Sequence, residues 1–199
     1  MSQSRLRAPQ EPADLAALWR MVELCVPSHE ECGAATFLPR GAETLEADWQ
    51  DWVATVYSPV LLPSLPGLQQ SASGGAFNAL LGGDAALGAA LPVSAAGRSL
   101  AAGRRALLDF CPPQGAKLLE RLREAAATNA SAGHLATVFA ARAHAFHLPS
   151  VQCGAAFLLA ECVLGASAVG ITLSADRTAE LLGTAGRCCA VPVSQPVAV

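Results

Sequence analysis

One run of the chain limits the fold more than any other. Residues 151–173, VQCGAAFLLAECVLGASAVGITL, are 23 residues with a single charge. Such a run is long enough to cross a bilayer. Two features point elsewhere. Glu161 stands near its centre, where an ionised acid is costly in hydrocarbon. Its leucines are diluted by Ala, Gly and Ser, and neither Lys/Arg clusters nor aromatic belts flank it. The expectation is a helix buried on most sides, with Gly154, Gly165 and Ala168 letting other backbone come close. A membrane-associated subunit using 151–173 stands as an alternative.

Burying such a helix requires a large apolar complement, and the chain has one. Of its 199 residues 52% are hydrophobic and 15% charged, which excludes a disordered chain and suffices for one domain with a real core. Alanine accounts for 42 of them and aromatics for only 5%, so Ala, Leu and Val do the packing and helices are favoured. The net charge is -3, Lys117 is the only lysine, and the arginines (Arg104, Arg105, Arg121, Arg123) are scattered. That pattern excludes the clustered cations that nucleic acid requires.

Period and end signals divide the rest. PADLAALWRMVELC (12–25) puts Leu15, Leu18, Val22 and Cys25 on one helical face, with Pro12 in the first turn. TLEADWQDWVATVY aligns Leu45, Trp49, Trp52, Val53 and Val56, with Thr44 as N-cap and the acids Glu46, Asp48 and Asp51 on the wet face. Pro59, Pro63 and Pro66 are expected to break the helix, and SASGGAFNALLGGDAALGAALP to be a flexible connection holding one short helix. Helices are further expected from about Ser94 to Phe110 and over GAKLLERLREAAA, where Leu118, Leu119 and Leu122 lie opposite Lys117, Glu120 and Arg123. Alternating strand patterns are nearly absent. The fold class is all-α, a single-domain bundle of about six to eight helices: an N-terminal helix and loop (1–40), a helical core (41–186) and a mobile tail (187–199).

Three of the four histidines fall in GHLATVFAARAHAFHLP. A helix over 133–147, capped by Ser131, places His134 and His144 about 15 Å apart along the axis. His144 and His147, three apart, then share a face and form a candidate metal pair. Zinc asks for three or four protein ligands, and Cys153 is the nearest further one. The simpler reading is a packing wall, with Val138 and Phe139 buried and His144 and His147 at a helix end that favours positive charge.

The seven cysteines are Cys25, Cys32, Cys111, Cys153, Cys162, Cys188 and Cys189. MSQSRLRAPQEPADL has no apolar leader, so a cytoplasmic location with reduced thiols is expected. Cys153 and Cys162 should pack as small hydrophobes, while the adjacent Cys188 and Cys189 are a second candidate metal or redox pair. No nucleophile elbow, phosphate loop or dinucleotide fingerprint is present. The expectation is a non-enzymatic chain with no cofactor; a small helical thiol- or His-dependent enzyme using these pairs is the alternative.

The order of elements from 44 to 183 resembles the urease accessory protein UreF family. The resemblance is carried by Gly103-Arg104-Arg105-Ala106-Leu107-Leu108 ending a helix and by Gly133-His134 opening an apolar one (135–148). A long Ala-rich helix (150–171) with Ala168-Val169 follows, and then a Leu-Leu helix from Thr178 to Leu182. It implies an all-helical cytoplasmic chaperone that pairs as a homodimer. Such a protein binds a second accessory protein and a nickel-carrying GTPase, and helps deliver nickel to apo-urease through protein–protein contacts. It also implies that His134 marks a helix start and His144 and His147 its far end.

Overall fold

The computed structural model describes residues 12–26, 33–108, 116–129 and 132–189, and only the backbone of 12–14, 150–151 and 187–189. Among them the chain forms eight helical rods and no strand, an all-α bundle. They are α1 (Pro12–Cys25), α2 (Leu45–Ser73), α3 (Phe77–Ala90), α4 (Val93–Leu108), α5 (Lys117–Thr128), α6 (Leu135–Ala145), α7 (Ser150–Ala168) and α8 (Ala175–Cys189). The tail beyond Cys189 and the cap residue Ser131 lie outside the described residues.

α2 departs from expectation. It does not end at its prolines but runs on through Leu45–Trp52, a wider π-helical stretch Val53–Leu61 and Leu62–Ser73. A helical proline removes one N–H and crowds the carbonyl four residues back. A π stretch is one of the few ways to absorb such a misfit. Position does the rest. Pro59, Pro63 and Pro66 all face solvent, so water can serve the freed carbonyls, and the Ser64 hydroxyl donates to Val60 O at 2.7 Å. The opposite face (Val53, Val56, Tyr57, Leu61, Leu65, Leu68, Ala72) is buried without a gap. Packing along that face outweighs local helix-breaking.

The glycine-rich segment that follows is a second correction. Residues 77–90 form the regular helix α3, docked by Leu80, Asp84 and Leu87, with Gly74 and Gly75 making the turn before it.

α6 is the hub. Every residue from Leu135 to Ala143 is buried, as expected of a helix apolar on all sides. It packs against α1, the second half of α2, α4, α5 and α7. Phe139 meets Phe157 of α7 edge to face at 5.4 Å. Full burial of each such side chain contributes about 1.5–3 kcal/mol. α7 is the expected buried helix, covered from Ala156 to Ala166 by α1, α2, α6 and α8, but it ends at Ala168, so residues 169–173 of the apolar run lie outside it. Of its small residues only Gly165 allows a close approach: a Cβ there would run into the ring and carbonyl of Phe37. Gly154 has open space beside it and Ala168 is exposed. No described helix is long and apolar enough to cross a membrane.

Candidate functional site

Both ends of α6 are where the sequence placed its histidines, and they have opposite characters. At the start, His134 is not a helical residue but the N-cap, with extended backbone and 4% exposure. A buried helix N-terminus leaves backbone donors that water cannot reach. Here three of the N–H groups at this end are met from other helices. The Asp84 carboxylate of α3 accepts from Gly133 N at 2.9 Å and His134 N at 3.0 Å, and the Ser99 hydroxyl of α4 accepts from Leu135 N at 3.2 Å. Gly103 makes the crossing possible, because a Cβ on it would overlap the Gly133 carbonyl. Arg104 closes the other side, donating to Asn129 O and Ala132 O. Desolvation holds the His134 imidazole below its usual pKa, Asp84 opposing and Arg104 assisting. It serves as a wall, in a neutral form suited to burial.

At the far end α6 stops after Ala145. Leu148 N donates to Ala143 O and His147 N to His144 O, the paired bonds of a left-handed helix stop. His147 itself takes the left-handed position, with φ of 55°. The shared helical face expected of the candidate metal pair does not form: His144 remains on the last helical turn, while His147 has left the helix, and both are exposed. His144 instead joins Cys153, Gln69, Gln70 and Ser73 in lining a cavity of about 320 Å³ between α2, α6 and α7. Burial pushes the Cys153 thiol up, away from the thiolate that a nucleophile or ligand needs.

The other described thiols behave alike. Cys25 and Cys162 are free, buried and pushed up to about 12 by desolvation. Cys153 and Cys162 thus pack as small hydrophobes. Cys188 and Cys189 fall on the backbone of α8, but their side chains lie outside the described residues, as do Cys32 and Cys111. Among the described residues no three of His, Cys, Asp or Glu converge where an ion could be held.

Two buried charges carry more of the architecture than the histidines do. Arg142 of α6 donates to Leu24 O and Ala106 O, carbonyls in the last turns of α1 and α4, where the helix dipole favours a positive charge. Glu161 of α7 is fully buried and accepts from Thr36 N at 2.9 Å and Phe37 N at 3.0 Å, both on Oε2. Among the described residues its Oε1 has no hydrogen-bond partner. Arg98 of α4 clasps the same loop through Ala35 O and Thr36 O. Sequence reasoning missed the roles of Asp84, Arg142 and Glu161. One signal was available for the acids: Asp84 is the only charge in FNALLGGDAALGAA and Glu161 the only one in its 23 residues. No family model, curated protein or solved structure matches the chain.

Proposed function

We propose that the protein is a non-enzymatic helical adaptor that works through its outer surface, in the manner of the urease accessory protein UreF family it resembles. It would pair as a two-fold homodimer in the cytoplasm and assist nickel delivery by holding a second accessory protein and a GTPase against apo-urease. The observation that carries the adaptor reading is where the interior chemistry goes. Asp84, Arg142 and Glu161 each hold the backbone of another segment, and the described thiols are raised by burial. What remains on the outside suits contact rather than catalysis, including Val93 at 92% and Leu108 at 71% exposure on the two ends of α4.

Co-purification with urease maturation proteins tests it. Retention of the accessory protein and the GTPase is expected; no retention under conditions that capture a UreF protein would sink the urease assignment. Light scattering tests the pairing, with a mass near 20 kDa across the micromolar range counting against a dimer. The cavity shared by His144 and Cys153 favours a second reading, a small thiol- or His-dependent enzyme. That reading requires one thiol with a depressed pKa. Thiol titration finding all seven cysteines of ordinary reactivity would remove most of its support.

A further inference from the structure

The loop 33–40 between α1 and α2 is held at three levels. Its backbone donors at 36 and 37 go to Glu161, and its carbonyls at 35 and 36 go to Arg98. The Thr36 hydroxyl accepts from the Trp52 indole N–H at 3.2 Å. The Phe37 ring sits 4.9 Å from Trp49 and 5.5 Å from Trp52, two indoles that stack on each other at 5.0 Å, and it lies over the bare backbone of Gly165. The loop is therefore a strap whose apolar plug depends on a polar clasp.

The clasp is unbalanced. An ionised carboxylate has two oxygens to satisfy, and Oε1 of Glu161 has no hydrogen-bond partner among the described residues in a fully buried site. The charges on the surrounding helices do not neutralise it. Arg98 points its donors at the strap carbonyls. Arg177 of α8 is engaged with Glu46 and Glu180. Glu23 of α1 is exposed beside Ala160 and Leu164 and has the same sign. On α7 itself Cys162 keeps its proton, with its thiol near 12, while α6 faces α7 with Phe139. Of these, Arg98 is the one cation whose field reaches the carboxyl.

We propose that the strap is a pH-set latch, closed while Glu161 is protonated and released as its carboxyl gives up that proton to solvent. Release lets the carboxylate meet water and lifts Phe37 from the stacked indoles, uncovering the faces of Trp49 and Trp52. The direction follows from linkage. Burial raises the Glu161 pKa from 4.5 to about 7 in the closed form, against the opposing pull of the Phe37 N–H, the Thr36 side chain and N–H, and Arg98. An open form, wetted, returns toward the ordinary value, so opening becomes easier as the pH rises from acid through neutrality. The inference does not depend on the urease assignment.

Hydrogen exchange on the full-length chain tests it. After correction for intrinsic rates, protection of the Thr36 and Phe37 amides should fall about tenfold between pH 6 and pH 8. Protection at Val138 and Phe139 in α6 should hold. In Glu161→Gln, which cannot ionise, the tenfold change should shrink to less than about twofold. A pH-independent strap in wild type overturns the proposal, as does a Gln variant that keeps the change. Parallel loss of protection in α6 also overturns it, because the transition would then be global unfolding. Should the variant not fold, the wild-type infrared band of a protonated carboxyl decides instead. It must disappear between pH 6 and pH 8 in step with strap protection, and its absence at pH 6 is equally fatal.

Discussion

Asp84 and Glu161 are both buried acids on apolar helices, and both take two backbone N–H groups from a distant segment. They differ in how the acceptors are used. Asp84 offers one oxygen to each donor, and its donors are the first N–H groups at the start of α6, where the helix dipole favours negative charge. Glu161 puts both donors on one oxygen and leaves the other orphaned, facing a loop instead of a helix end. The first arrangement gives both oxygens a partner. The second is a joint that can change with protonation. Burial alone does not separate the two cases; the way the oxygens are partnered does.

The largest expected effect comes from breaking the first joint. Asp84→Ala strands two buried N–H groups, each worth about 1–3 kcal/mol, so a loss of roughly 2–6 kcal/mol is expected in urea unfolding. A loss under about 1 kcal/mol would mean that water replaces the carboxylate, and the contrast with Glu161 would collapse. The apolar benchmark is Phe139→Ala, which empties the ring site against Phe157 at the centre of α6. It should lower stability by about 3–5 kcal/mol by the same measurement. A cost below that of Asp84→Ala would make the polar joint the stronger hold on α6.

Next in size is the pH dependence of the second joint. The raised Glu161 pKa contributes stability that is complete below about 4.5 and is lost as the pH rises through about 7. The shift corresponds to about 3 kcal/mol at most, and Glu161→Gln should flatten that part of the stability–pH curve. Chemical denaturation of both proteins from pH 5 to pH 8 checks this: the wild-type-minus-variant difference should fall across the window, and a difference that rises would reverse the assigned sign. The smallest effect is expected at the far end of α6. Replacing His144 and His147 together by Gln should change stability by less than about 1 kcal/mol, because both are exposed. A melting temperature raised by nickel or zinc in wild type but not in this double variant would restore the metal reading.

The sequence alone determined the elements whose signals are local. α1 begins at Pro12 and ends at Cys25 as its period and first-turn proline require, and α5 follows its leucine stripe. Most of the 151–173 run is a helix, buried from Ala156 to Ala166, as one acid among small residues suits a core better than a bilayer. Only the tertiary structure decided that α2 passes three prolines, since that depends on which face of the rod is wet. It also decided that His147 leaves the helix, and that Asp84 and Glu161 act on backbone 49 to 125 residues away. Periodicity reports which face of a helix is apolar. It carries no record of which distant N–H or carbonyl will arrive at a buried charge, because that is set by how the helices cross after they have formed.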